Sequence, residues 1–126
     1  ILEKMIREQV SSLPTFSDQI AQKLVQNANG FSFTVEPFML ENNGVLSHGV
    51  LTEILNTATH QLVASNGRSL IIEQMMVYFL QAVQLDDYLT LTSRVVHETR
   101  RSAIIDYDVY LDHQLVAKAT MTVKIN

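Results

Sequence analysis

The sequence predicts an α+β domain, and three observations lead to that class. One strongly amphipathic helix is predicted from Ser47 to about Ser65; a single strand-like run precedes it, and four consecutive strand-like runs follow it. The connections between those last strands are too short for crossovers, which makes the sheet largely antiparallel. Since one helix can cover only one face, we expect it to lie along the concave side of a curved sheet of about five strands.

The period of the apolar residues predicts the helix. They recur at about 100° per residue and so fall on one arc; the arc consists of Val50, Leu51, Ile54, Leu55, Ala58 and Leu62. The pair Asn66-Gly67 directly follows and is typical of a helix end.

The strands are predicted from alternation and from apolar runs. Before the helix, "FSFTVEPFM" alternates as far as Pro37. After it, "LIIEQMMVYFL" is apolar on both faces, which is typical of a central buried strand. The runs "YLTLTSRVVHE", "AIIDYDVYL" and "LVAKATMTVKI" follow, the last two alternating clearly, and "TRRS" and "DHQ" predict the tight turns between them.

The N-terminal part reads as helical. Residues 1–13 have a short helical pattern that ends before Pro14, and Ser17 can cap a second helix that Asn29-Gly30 would stop. We therefore expect one domain over 1–126, with a helical extension over 1–30 and a core over 31–126. The chain starts without Met and stops directly after a strand, so we expect it to be cut from a longer polypeptide; a processed chain end is the alternative.

Composition excludes several functional classes. The 126 residues suit one globular domain, and the absence of cysteine excludes disulfides and thiolate chemistry. The net charge of −4 argues against a nucleic-acid surface. No apolar run approaches the ~20 residues of a membrane span. No His/Asp/Glu set has metal-ligand spacing, so we predict no metal, and a cytoplasmic protein is expected.

The segment "NNGVLSHGVLTEILNTATHQLV" resembles the hotdog fold of acyl-CoA thioesterases and dehydratases, and most of all the phenylacetate-degradation type of thioesterase. In that type a Gly-x-x-His-Gly-Gly turn enters the helix, and a catalytic Asp follows the His by nine residues in Asp-Thr-Ala. The runs "VYFLQAVQLDDYLTLTSRVV" and "QLVAKATMTVKI" are also similar to the family's later strands. The resemblance covers roughly 31–125.

Carried over by position, Gly44 matches the family's first Gly, Ser47-His48-Gly49 takes the His-Gly-Gly positions, and Asn56-Thr57-Ala58 falls on Asp-Thr-Ala. Ser47 thus replaces the His, and Asn56 replaces the carboxylate. Aligning His48 with the family's His instead places Thr57 at the Asp position and loses the Thr-Ala match. Neither register supplies a carboxylate.

The chemistry of such a site needs two things. A carboxylate must attack the thioester or deprotonate a water, and an oxyanion site must accept the developing charge. Gly49 suits the second need, because N–H groups in a first helical turn are unpaired. Asn56 cannot take a proton. Glu53, with His60 near it, is a candidate displaced base, although the two also suit an ordinary solvated pair on an exposed helix face.

Other candidates for substrate binding lie outside the helix or at its start. Glu41 and Asn42 precede the turn, where related thioesterases often carry a polar residue facing the thioester; loop solvation explains them equally well. His48 is a candidate ligand donor or an ordinary first-turn residue. Arg100 and Arg101 are candidates for gripping a nucleotide phosphate, although hairpin tips are commonly charged.

Two functions follow from the resemblance. One is an active acyl-CoA thioesterase that uses a displaced carboxylate. The other, which Asn56 favours, is a non-catalytic acyl-CoA-binding domain that senses ligand or dimerises within a larger regulatory protein, as in bacterial proteins with CBS and DRTGG modules, whose hotdog domain this chain resembles. A purely structural dimerisation module is a third possibility. The resemblance implies a homodimer or a dimer of dimers, a coenzyme A thioester as ligand, no other cofactor, and no nucleic-acid or membrane partner.

Overall fold

A six-stranded antiparallel sheet and one long helix form the body of the molecule. The structure is a computed structural model that describes residues 15–64 and 66–126, so the helix predicted over 1–13 lies outside the described residues. The elements are, in chain order, α1 (Phe16–Lys23), β1 (Val25–Asn27), β2 (Gly30–Thr34), a 3₁₀ turn (Pro37–Met39), α2 (His48–Ala64), β3 (Leu70–Phe79), β4 (Tyr88–Glu98), β5 (Ser102–Leu111) and β6 (Gln114–Ile125). The spatial order of the strands is β1-β2-β4-β5-β6-β3. The predicted α+β hotdog architecture is confirmed.

Helix α2 forms where its period predicts it, and it buries the predicted arc. All of the arc except the half-buried Leu62 is below 9% exposed. The end signal also holds: the N–H of Gly67 donates to the carbonyl of Ala64, and Gly67 has φ 71°, a left-handed conformation that favours glycine.

Strands β5 and β6 supply the other side of the core. Their alternation buries one face of each strand, including Ile105, Tyr107, Met121 and Val123. The opposite face carries Asp106, Asp108, Lys118 and Thr120, which pair with each other or with Arg94 across the strands. The predicted hairpin turns join β4 to β5 and β5 to β6. These two strands therefore present a polar outer face and an apolar inner face.

The prediction that "LIIEQMMVYFL" is a central strand was wrong. This run is β3, which pairs with β6 on one side and has no strand partner on the other among the described residues. Its outward side chains Ile71, Met76 and Tyr78 are 56%, 47% and 55% exposed. A run that is apolar on both faces indicates that the strand is buried, but it does not identify what buries it. Among the described residues of this protomer, nothing covers the free edge of β3 or its outer face.

The predicted second helix is shorter than expected and has a different cap. Thr15, not Ser17, caps α1 in a capping box with Asp18, and the helix ends at Lys23. Val25–Asn27 instead pair with β2, which adds a sixth strand inside the expected helical extension. Asn29 lies in the β1–β2 turn and Gly30 is the first residue of β2, where glycine is required because a Cβ would lie 2.0 Å from the carbonyl oxygen of Leu91.

One buried polar contact ties α2 to the sheet. The Tyr107 hydroxyl and the Thr59 hydroxyl lie 2.9 Å apart, and Thr59 also lies 2.7 Å from the carbonyl oxygen of Leu55. Thr59 has one proton, so donation to Leu55 leaves its oxygen to accept from Tyr107. Burial raises the pKa of Tyr107 to about 12, an effect that the hydrogen bond to Thr59 partly opposes.

Burial of the Tyr107 hydroxyl predicts a pH-dependent stability. Unfolded tyrosine ionises near its ordinary pKa of 10.0 and Tyr107 in the fold at about 12. The raised pKa therefore stabilises the fold fully below pH 10, and that contribution is lost as the pH rises towards 12. In urea unfolding at increasing pH, the wild type should lose about 2–3 kcal/mol more than Tyr107→Phe over that window. Parallel curves for the two proteins would contradict this assignment.

Candidate functional site

A short turn places the N-terminus of α2. The N–H of Gly44 donates to the carbonyl of Glu41, and Gly44 has φ 83°, which glycine adopts without strain. The N–H groups of Leu46 and Ser47 then donate to the carbonyls of Val83 and Met39, at 2.7 and 2.9 Å. The two residues that precede the helix are therefore held by backbone hydrogen bonds to two different segments.

Ser47 is the N-cap of α2. Its hydroxyl lies 3.4 Å from the N–H of Val50, and its carbonyl accepts the N–H of Leu51 at 3.1 Å. The N–H groups of His48 and Gly49 have no hydrogen-bond acceptor among the described residues. Two unpaired N–H groups at the positive end of a helix can bind a carbonyl oxygen or oxyanion.

Gly49 leaves the backbone of the first helical turn accessible to a ligand. It is exposed, its backbone does not require glycine, and a Cβ there would meet only Ser47 Oγ, at an ordinary 3.6 Å. Space within the protomer therefore does not explain the glycine, whereas close approach of a ligand to the backbone would.

An apolar cleft of about 190 Å³ adjoins the same turn. The His48 ring stacks on Phe79, with 3.7 Å between ring centroids and 8° between ring planes. The rest of the wall is largely aliphatic and includes Leu51, Leu80, Val83, Val116 and Ala117. The cleft thus joins the end of β3 to the first turn of α2.

Glu53 lies on the polar side of α2, where Ser17 of α1 contacts it. Ser17 Oγ donates to Glu53 Oε1 at 2.6 Å, while Asn56 Nδ2 and Thr57 Oγ1 lie 3.4 Å from the same oxygen. Glu53 and Asn56 are half-buried and Thr57 is buried. One oxygen of Glu53 is therefore occupied by three donors, one of which joins the two helices.

The structure brings only part of the predicted stripe together. Glu53, Asn56 and Thr57 are in contact, but His60 is exposed and makes no ion pair with Glu53. Gly49 precedes Asn56 by seven residues, which is about 10 Å along a helix. Within one protomer, the free N–H of Gly49 and the amide of Asn56 therefore cannot contact one carbonyl group together.

The remaining predicted residues lie apart. Glu41 and Asn42 are exposed on the turn before α2. Arg100 and Arg101 lie in the β4–β5 hairpin, which is at the other end of the sheet from the cleft. Sequence reasoning missed Ser17 as a site neighbour, because its contact with Glu53 joins residues 36 positions apart in the chain.

Two further features concern ligands and membranes. In the described part of the chain, no three His, Asp or Glu side chains are placed to hold a metal ion together. No helix among the same residues has the length and apolar character needed to cross a membrane.

Solved structures similar to this chain include a hypothetical thioesterase protein with coenzyme A from Streptococcus pneumoniae TIGR4. It is 25% identical, with a TM-score of 0.73, and the match covers 82% of this chain and 84% of that one. The PaaI protein of the phenylacetic acid degradation operon of E. coli is 22% identical with a TM-score of 0.68, over 75% of this chain and 69% of PaaI. The likeness to PaaI shows the shared fold.

Sequence comparison gives the family. The protein YtoI of Bacillus subtilis (strain 168) is 28% identical over 96 residues, which are 75% of this chain and 22% of YtoI. This chain thus spans less than a quarter of the length of that relative. The family model of the thioesterase superfamily matches residues 43–118, which is more than half of the chain and includes the turn, the cleft and α2. The chain therefore belongs to the thioesterase superfamily.

Proposed function

We propose that this chain is an acyl-CoA-binding hotdog domain that hydrolyses its ligand poorly or not at all. The observation that carries the proposal is the pair of unpaired N–H groups of His48 and Gly49 beside an apolar cleft, on a helix that has Asn56 in place of a carboxylate. The unpaired N–H groups suit the carbonyl oxygen of a thioester, and Asn56 leaves the helix without a catalytic base at that position.

The cleft sets the kind of acyl group. A cavity of ~150 Å³ lined by aliphatic and aromatic side chains holds benzene, and this cleft has a volume of about 190 Å³. Its wall is mainly apolar, and Ala117 and Ala82 keep it open. A short aliphatic or a single-ring aromatic acyl group suits this space, while a long acyl chain would extend beyond it.

The contacts of Glu53 count against efficient hydrolysis. A displaced base needs a free carboxylate oxygen aimed at a water or a carbonyl. Glu53 Oε1 instead accepts from Ser17 at 2.6 Å, with Asn56 and Thr57 as further donors. These contacts give Glu53 a role in docking α1 on α2. The alternative of an active thioesterase requires Glu53 either to leave Ser17 or to act through Oε2, which has no donor among the described residues.

A homodimer is part of the proposal. The free edge of β3 offers unpaired backbone groups beside exposed Met76 and Tyr78, which pairing with a second copy would satisfy. The separation of about 10 Å between Gly49 and Asn56 along one helix also favours a ligand site built from two protomers.

A sensing role within a larger protein is the last part of the proposal. The relative YtoI is several times longer than its matching segment. A domain that binds acyl-CoA without consuming it can report the ligand to neighbouring domains, since binding to one state of a protein shifts its conformational equilibrium.

Calorimetry and cleavage assays with one panel of short, branched and aromatic acyl-CoAs test the function. We expect binding with negligible turnover. Wild-type turnover that is abolished by Glu53→Ala would instead support the active thioesterase, and lack of binding throughout the panel would overturn both.

The variant Gly49→Ala separates ligand binding from folding. The free energy of unfolding should stay equal or rise by up to about 1 kcal/mol, because alanine favours a helix over glycine and the methyl group meets no close neighbour. Acyl-CoA affinity should fall by at least ~10-fold, since the methyl group hinders approach to the backbone N–H groups. Gln61→Ala, later on the same helix, should bind as the wild type does. Undiminished affinity in Gly49→Ala would remove this turn from the site.

A further inference from the structure

A cluster of four cations lies at the end of the sheet farthest from the cleft. Arg68 comes from the connection between α2 and β3, Arg100 and Arg101 from the β4–β5 hairpin, and Lys124 from the end of β6. They line one open groove, which is separate from the apolar cleft, and all four are exposed. We call them the basic cluster.

Backbone contacts hold the three segments of the basic cluster together. The Arg68 guanidinium donates to the carbonyl oxygen of Arg100 at 3.3 Å. The carbonyl of Arg101 accepts from the N–H of Ile125 at 2.7 Å, and Lys124 is paired in the ladder with Ile71 and Ser102. Arg68 is therefore anchored through its guanidinium, and Arg101 and Lys124 are anchored near their backbones, while all four side chains remain exposed.

The basic cluster lacks counter-ions. It contains four of the nine Lys and Arg residues of a chain whose net charge is −4. Among residues 15–64 and 66–126, none of the four forms an ion pair, whereas Lys23, Arg94 and Lys118 each do. No carboxylate side chain lines the groove of the basic cluster. Like charges held close together repel each other, so a bound anion would stabilise this arrangement.

We infer that the basic cluster binds the phosphate groups of a nucleotide. Several cations from separate segments match a ligand with several negative charges better than they match a single carboxylate. Guanidinium groups bind phosphate through two parallel hydrogen bonds, and the cluster offers three of them beside one ammonium group. The open groove also suits a phosphate group, which is strongly hydrated and enters from solvent.

The nucleotide is assigned as that of the acyl-CoA, and this step rests on the proposed function. If two protomers pair along β3 in antiparallel register, the Leu70 end of one strand lies beside the partner's Phe79, which lines the cleft of that protomer. Lys124 is one strand from that edge, and the β4–β5 hairpin spans the second and third strands from it, so the cluster lies within roughly 15 Å of the edge. One ligand could then place its acyl group in the cleft of one protomer and its phosphates on the cluster of the other.

The test compares two charge-matched double variants. Arg101→Gln with Lys124→Gln removes two charges from the cluster, and Arg94→Gln with Lys118→Gln removes two from the paired outer face. Calorimetry would use acetyl-CoA, acetyl-pantetheine, which lacks the nucleotide, adenosine 3′,5′-bisphosphate and inorganic phosphate. We expect the cluster variant to bind acetyl-CoA and the bisphosphate roughly 10- to 100-fold more weakly and acetyl-pantetheine unchanged. The control variant should match the wild type.

The outcomes separate this inference from the proposed function. Equal binding of acetyl-CoA by all three proteins would overturn the phosphate site and leave acyl-CoA binding intact. Binding of the bisphosphate that depends on the cluster, in a wild type that does not bind acetyl-pantetheine, would uphold the phosphate site and overturn the thioester site. If inorganic phosphate competed as strongly as the bisphosphate, the site would be one for simple anions and the nucleotide assignment would be wrong.

Discussion

Replacing Asn56 with aspartate is expected to raise the rate of acyl-CoA cleavage by roughly 100-fold or more, because a positioned general base typically contributes 10²–10⁴-fold. The side chain is half-buried, and aspartate has the size of asparagine, so the change adds a base with little change in volume. It also replaces the Nδ2 group that donates to Glu53 Oε1 with an oxygen, which brings two carboxylates together. The unpaired N–H groups of His48 and Gly49 are already available for the oxyanion. Steady-state cleavage of the acyl-CoAs that bind best would measure the gain.

Two further variants make this result specific. Asn66→Asp makes the same chemical change in the exposed turn after α2 and should leave the rate at the wild-type level. Adding Glu53→Gln to Asn56→Asp should keep most of the gain if the new carboxylate is the base. A folded Asn56→Asp protein that binds acyl-CoA and remains inactive would show that more than one group is missing from the site.

Charging the free edge of β3 is expected to dissociate the proposed dimer. In the double variant Met76→Lys with Tyr78→Lys, two-fold pairing would bring four new positive charges together along one seam. Like charges brought together at an interface cost several kcal/mol, so the dissociation constant should rise by at least ~100-fold. Sedimentation velocity over a concentration series would measure it, and acyl-CoA affinity should fall with the dimer.

A matched substitution controls for the loss of an exposed aromatic side chain. Tyr88 is 57% exposed and Tyr78 55%, but Tyr88 lies on β4 and is paired with β2. Tyr88→Lys should therefore leave the oligomeric state unchanged. A β3 variant that sediments as the wild type does would exclude this edge as the dimer contact.

The contact between Ser17 and Glu53 couples the docking of α1 to the candidate base. Every test of Glu53 as a base also changes how α1 docks, because Ser17 Oγ donates to its carboxylate. Rates measured for Glu53 variants therefore need the parallel variant Ser17→Ala, which releases α1 and leaves the carboxylate in place.

The sequence by itself determined the elements that depend on local period. The arc of α2, the alternation of β5 and β6 and the end signal at Asn66-Gly67 are set by neighbouring side chains, and the structure has them where the pattern predicts them. The Gly44 turn and the position of Asn56 were predicted from the resemblance to the thioesterase motif, and helical spacing placed Asn56 on the face of Glu53.

Only the tertiary structure decided what lies across from these elements. The apolar run of β3 indicates burial, but its place at the sheet edge depends on pairing with β6 rather than on its own residues. Ser17 meets Glu53, and Arg68 and Lys124 join Arg100 and Arg101, through contacts between segments far apart in the chain. Long-range contacts leave no periodic signal in a single sequence, because each segment satisfies its local preferences whether or not the other is beside it.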